Sequence, residues 1–422
     1  MKTTALRLYG KQDLRLETFE LPEIREDEVL ASVVTNSICM SDYKAMLQGA
    51  DHKRVTNDIA QNPIIIGHEQ CGTILRVGDR LKDKFTTGMK YSIQPALNYP
   101  GRESQAVGYS YRYIGGDATK VVIHRDVIEM NCLIPYSGDS FFKASLSEPV
   151  ACILSALKSQ YHVKPNRYEH QMGIKEKGNV ALLGGGGPMG LEFLDILLHS
   201  ENKPSHVVLT DISQSKLDRA AAVFPPQQAD KAGIKLSYVD ASKDDARGRL
   251  LSLSDNKGYD DVFVLVPAAA IVEQASSILG KDGCVNLFAG PSDQNFSASV
   301  NFYKVHYNGH HVIGSAGSTT EDMLEALDMI GKGVINPAIM ITHIGGLVSA
   351  AEAIKNLPKI PGGKKLIYTG ISMPLVALED FKVLGEKDPL FGELAKIIAR
   401  TNGVWSKEAE DYLLTHAKPL AQ

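Results

Sequence analysis

Three textures of hydrophobic patterning follow one another along the chain. Up to about residue 150, short apolar stretches are broken by frequent turns, beginning with the strand-like alternation MKTTALRLYGKQDLRLETF. From Val180 to Leu183 an apolar run enters four glycines, and PMGLEFLDILLHS then repeats near 3.6 residues, which predicts strand, turn, helix. Further apolar runs follow at HVVLTD (206–211), KLSYVDA (235–241), DDVFVLVP (260–267), GCVNLFAG (283–290) and HHVIGSAG (310–317), with helical patterns between them. That alternation predicts an α/β fold with a doubly wound parallel sheet. Beyond residue 370, DPLFGELAKIIARTNG reads as an apolar-faced helix stopping at Asn402-Gly403, and SKEAEDYLLTHA as a second helix with Ser406 at its N-cap. These two helices are expected to pack on the first lobe or on a neighbouring subunit.

Composition narrows the function classes. Charged residues make up 22% and hydrophobic residues 44%, and no apolar run approaches the roughly 18 to 20 residues that span a bilayer. The N-terminus carries no apolar leader core, so a soluble, cytoplasmic protein is expected, with no membrane partner. Net charge is -4 and no basic block is long enough to track a phosphate backbone, which argues against nucleic acid. The five cysteines, at 39, 71, 132, 152 and 284, form no CxxC pair and fit free thiols in a reducing compartment.

Within the glycine loop, Gly185, Gly187 and Gly190 satisfy GxGxxG, with Pro188 and Met189 opening the helix. Asp211, twenty-one residues beyond Gly190, ends the next predicted strand. Glycines admit a pyrophosphate to the backbone, the helix N-terminus offers unpaired N–H groups, and the carboxylate accepts bonds from ribose hydroxyls. A merely structural glycine turn is the competing reading. Asp211 would repel a 2′-phosphate and so favours NAD(H), while Lys216 and Arg219 soon after it keep NADP(H) open.

Three polar clusters carry the candidate chemistry: SICMSDYK (37–44), IIIGHEQCG (64–72) and SLSEPVAC (145–152). Singly, Cys39 reads as a packed thiol, His68 as an interior imidazole and Glu148 as a helix N-terminal charge. Together, Cys39, His68, Glu69 and Glu148 offer one soft ligand, one imidazole and carboxylates, a donor set suited to a catalytic Zn²⁺ with an open position.

CMSD, GHE and SEPVAC, followed by GGGGPMG, resemble the medium-chain zinc-dependent dehydrogenases, and within them the sorbitol/polyol dehydrogenase branch, over about residues 1 to 370. The resemblance implies a mainly β GroES-like catalytic domain at 1–152, a Rossmann dinucleotide domain at 153–315 and a return to the catalytic domain at 316–370; the helical extension at 371–422 departs from the family in length. It implies an active site in the cleft between the domains and a homo-oligomer. It makes Cys39 and His68 zinc ligands, and gives Glu69 and Glu148 that role directly or through water. Ser41 becomes a proton relay and Asp42 an orienting partner. The family's frequent second, structural zinc has no counterpart, because no cysteine lies between Cys71 and Cys132; one zinc per chain is expected.

A sugar or polyol substrate follows from the same branch. His52, Lys53 and Arg54, inside the long polar insertion MLQGADHKRVTNDIAQ, suit a sugar phosphate, although a solvated loop reads the same way. The C-terminal extension, the cysteine-free lobe and the run NFYKVHYNGHH (301–311) resemble bacterial ketose-phosphate reductases that interconvert L-sorbose 1-phosphate and glucitol 6-phosphate. Two alternatives stay open: a dehydrogenase of unphosphorylated, sorbitol-like polyols, and a catalytically inactive nucleotide-binding protein that kept only the fold. A zinc-free quinone reductase would not need Cys39, His68 and Glu148 together.

Overall fold

The computed structural model of the chain describes residues 1–421, which divide into two compact units: Met1–Val150 with Ser318 onward, and Ala151–Gly317. In the first unit the strand Val29–Ile38, rich in β-branched residues and buried along most of its length, is the centre of the main sheet. It pairs antiparallel with Gln70–Val77, with Lys120–Ile123 and with Lys364–Tyr368. Strands from both ends of the chain therefore meet on one backbone, with Lys365 opposite Ile38 and Gln70 opposite Asn36. This register carries Lys364 and Glu69 to the end of the strand where Cys39 begins the next element.

The C-terminal extension belongs to this first unit. Its helices are Pro389–Ala399 and Lys407–His416; Asn402 and Gly403 turn the chain between them with positive φ, and the Ser406 side chain accepts the Ala409 N–H. Trp405, fully buried, donates its indole N–H to the Tyr368 hydroxyl at 2.8 Å. The buried Glu410 carboxylate accepts the Phe141 and Phe142 N–H groups at 2.8 and 3.0 Å, and the Tyr368 O–H at 3.1 Å. The tail is thus pinned to the strand that bears Lys364.

The second unit is a six-stranded parallel sheet in the order 235–240, 206–211, 179–183, 259–264, 279–287, 311–314. Strand order reverses on either side of Asn179–Leu183, the topological switch point at which a doubly wound sheet binds its ligand. Val180, Ala181, Leu182, Val207, Val208 and Leu209 are wholly buried, as expected of strands covered on both faces. The run 301–311 forms the helix Phe302–Asn308 and leads into the edge strand His311–Gly314. Of its histidines, His306 is exposed, His310 is buried, and His311 pairs with Asp282 at 2.8 Å. No helix among the described residues is long and apolar enough to cross a membrane.

Candidate metal centre and dinucleotide loop

Cys39 occupies the N-cap of the helix Met40–Gln48, directly after the central strand. Asp42, three residues on and fully buried, accepts the Cys39 N–H through Oδ2 at 2.8 Å. Its Oδ1 lies 2.8 Å from His68 Nδ1. An Nδ1–H donating to that carboxylate leaves Nε2 as the lone-pair face of the ring, so one carboxylate orients both residues. His68 follows Gly67, whose φ of +96° and whose would-be Cβ, 2.7 Å from Asn36 Nδ2, exclude a side chain.

The thiol of Cys39, a ring nitrogen of His68 and a carboxylate oxygen of Glu69 all lie within 4.8 Å of one another. Around a tetrahedral zinc with bonds of about 2.0 to 2.3 Å, ligand atoms are roughly 3.3 to 3.8 Å apart, so a small inward movement closes the set. The chemistry of Glu69 fits the ion as well. Oε1 accepts from the buried Lys364 ammonium, but Oε2 is buried with no hydrogen-bond partner among the described residues. An orphaned carboxylate oxygen beside a thiol and an imidazole is what a bound cation would satisfy.

Glu148 stands in the first turn of the helix Ser147–Ser159, outside this three-residue group. Its charge nevertheless reaches the neighbours of the group. Burial alone would lower the pKa of Lys364, but Glu69, Cys39 and Glu148 outweigh it and hold the ammonium charged. Ser41 places its hydroxyl 3.6 Å from Cys39 Sγ. Two residues that the sequence pattern does not single out complete the surroundings. Lys364 arrives from a distant strand, and Tyr109, fully buried, sets its hydroxyl 3.0 Å from His68 Nδ1. Burial first, then the charges of Asp42 and Cys39, raise the Tyr109 phenol well above its ordinary pKa, so it stays protonated.

In the second unit the glycine loop has the expected shape. A Cβ on Gly190 would lie 2.0 Å from the Gly185 carbonyl oxygen, so only glycine lets the helix Pro188–His199 approach the strand. Gly187, the N-cap, has open space where its Cβ would be, a gap that suits a pyrophosphate at the helix N-terminus. Pro188 and Met189 form the first turn. Asp211 ends the adjacent strand; its Oδ2 accepts the Gly186 N–H at 3.1 Å and its Oδ1 the Ser213 N–H at 3.0 Å. Lys216 Nζ lies 4.0 Å from the same carboxylate, near enough to temper its repulsion of a phosphate.

Family models match twice: "Alcohol dehydrogenase GroES-like domain" over residues 25–131, and "Zinc-binding dehydrogenase" over residues 188–332. The chain is 46% identical, over 418 residues, to an L-sorbose 1-phosphate reductase of Klebsiella pneumoniae, covering 99% of this chain and 98% of the relative. It belongs to the zinc-dependent medium-chain dehydrogenases. A mannitol-1-phosphate 5-dehydrogenase of Aliivibrio fischeri (strain ATCC 700601 / ES114) is also 46% identical, over 98% of this chain and 97% of its own. In fold, this dehydrogenase is similar to a solved 2R,3R-butanediol dehydrogenase from Bacillus subtilis, with a TM-score of 0.69 at 19% identity, covering 87% of this chain and 99% of the other. Membership brings a zinc ion and a nicotinamide cofactor to the chain, and the GroES-like and Rossmann folds are those seen in its two units.

Proposed function

We propose that the protein interconverts a ketose phosphate and a polyol phosphate, with hydride passing between the substrate carbon and NAD(H) or NADP(H). The convergence of Cys39, His68 and the orphaned Glu69 oxygen carries the metal-dependent part of this reading. The two relatives at 46% identity, both named for sugar phosphates, support the substrate class, with L-sorbose 1-phosphate and glucitol 6-phosphate as the leading pair. A bound zinc would stabilise the substrate oxygen as it gains negative charge, and a bound nicotinamide would supply or accept the hydride.

This chain's own residues supply the rest. Cys39, His68 and Glu69 hold the ion, Glu148 joins them directly or through water, and Asp42 keeps the first two in register. Ser41 passes the hydroxyl proton between the substrate oxygen and solvent, so that reduction takes up one proton and oxidation releases one. Lys364 offsets the negative charge of Glu69, and Tyr109 walls the site on the His68 side. Gly185, Gly187, Pro188, Met189 and Gly190 cradle the pyrophosphate, and Asp211 takes the adenosine ribose with a preference for NAD(H) that Lys216 weakens.

One catalytic zinc per chain, with no structural zinc, follows from the cysteine positions. A homo-oligomer accords with the exposed aromatic face of Phe302, Tyr303 and Tyr307 beside the edge strand His311–Gly314. Metal analysis by native mass spectrometry tests the site directly. One zinc per subunit, lost in Cys39→Ser, supports it; full retention of zinc in Cys39→Ser refutes it.

A further inference from the structure

Basic residues gather near the Tyr109 ring. The His52 imidazole stacks on that ring at 5.5 Å between centroids, and the Arg54 guanidinium lies 5.9 Å from the ring centre. The segment is pinned: Ser110 Oγ donates to the Arg54 carbonyl at 2.6 Å, and the Arg54 N–H donates to His52 Nδ1 at 3.3 Å. Lys53 lies between them in sequence and acts on His52 through its charge, and Lys44, half-buried on the helix that Cys39 caps, is near enough to feel both Lys53 and Cys39.

Surface cations are ordinarily neutralised by nearby carboxylates or spread in solvent. Here neither Lys53 nor Arg54 makes an ion pair among the described residues, and the neighbouring Asp51 is taken by Lys11 at 2.5 Å. The mutual repulsion is felt locally. Burial, then Arg54, Lys53 and Lys44, press the His52 pKa down to about 4, so the ring is neutral and stacks without adding charge. A fold that gathers cations at the cost of repulsion, on a ring whose hydroxyl touches a metal ligand, has built an anion seat next to its reaction centre.

We propose that Arg54 and Lys53, with Lys44 behind them and Tyr109 as the floor, bind the phosphate of the substrate and so set the preference for phosphorylated over free sugars. This rests on the reading of the protein as a ketose-phosphate enzyme and adds the residues that read the phosphate. Arg54 supplies a planar fork suited to two phosphate oxygens, and Lys53 a mobile point charge.

The test is the ratio of kcat/KM for L-sorbose 1-phosphate to that for L-sorbose, measured in the zinc-loaded wild type, Arg54→Gln, Arg54→Lys and Lys53→Met. Inorganic phosphate serves in each as a competitive probe. Loss of one charge-assisted contact predicts that the ratio falls about ten- to a hundredfold in Arg54→Gln, less in Arg54→Lys, with the inhibition constant of phosphate rising in parallel. Lys53 is exposed, so Lys53→Met folds normally and keeps the proposal testable should Arg54→Gln not. A wild type that prefers the phosphorylated sugar, with every variant keeping that preference within twofold, overturns the phosphate seat and leaves the enzyme's function standing. A wild type with no such preference removes both.

Discussion

Replacing Lys364 by methionine separates what the ammonium does for Glu69 from what a metal does. Both side chains are almost fully buried, and Glu69 Oε1 accepts from the ammonium while Oε2 has no partner among the described residues. Deleting one member of a buried pair strands the other, at a cost of about 3 to 5 kcal/mol. Methionine keeps the length and apolar stem of lysine, so little of this cost comes from a cavity. For a unit of this size, about 2 to 4 °C is lost per kcal/mol, which predicts that metal-free Lys364→Met melts roughly 6 to 20 °C below the metal-free wild type. With zinc on Glu69 the divalent charge takes over the neutralising role, and less than half of that gap remains. Scanning calorimetry of both proteins, chelator-treated and zinc-loaded, gives the four melting temperatures required. Equal destabilisation with and without zinc would refute Glu69 as a ligand and leave it a structural partner of Lys364 alone.

Three further outcomes follow from the same geometry. Asp42→Asn replaces one of the two accepting oxygens by an NH₂ donor, so Cys39 N–H and His68 Nδ1–H can no longer both be held, and zinc affinity measured against a competing chelator falls about 10- to 100-fold. Ser41→Ala leaves zinc content intact and lowers kcat by about a hundredfold or more, with the loss shrinking as pH rises and solvent hydroxide takes the proton. Burial raises the pKa of Glu410 to about 7, against the hydrogen bonds from Phe141, Phe142 and Tyr368 that lower it. Its folded pKa lies above the unfolded value, so its contribution is full below about pH 4.5 and is lost as pH rises through 7, a change of about 3 kcal/mol. Thermal melts between pH 5 and 8.5 show this as a fall in stability that Glu410→Gln flattens.

The periodic parts of the chain were legible because burial on two faces and burial on one leave different patterns. The parallel strands from Val180 onward, the GxGxxG turn and the Ser406 cap are all local signals, and each is found where its pattern places it. Cys39, His68 and Glu69 were readable as chemistry, but their approach within 4.8 Å depends on antiparallel register between strands, which no local pattern encodes. Lys364 illustrates the limit. It reads as an ordinary charge in GGKKLIYTG until the strand Lys364–Tyr368 pairs with Val29–Ile38 and buries it against Glu69. Tyr109 was hidden for the same reason, in a loop segment whose partners are about forty to sixty positions away. Glu148, grouped with the other ligands by residue type, comes from a separate element, the first turn of the helix Ser147–Ser159.

The central claim, a zinc-dependent hydride transfer to a phosphorylated ketose, is tested most directly by following oxidation of NADH and NADPH with L-sorbose 1-phosphate and with fructose 6-phosphate. Each is run beside its unphosphorylated sugar, on protein stripped of metal and then reloaded with zinc. The account predicts activity that vanishes on stripping, returns with zinc and is confined to a phosphorylated ketose. Turnover of the free sugars at equal or greater kcat/KM, or activity that survives complete removal of zinc, would contradict it.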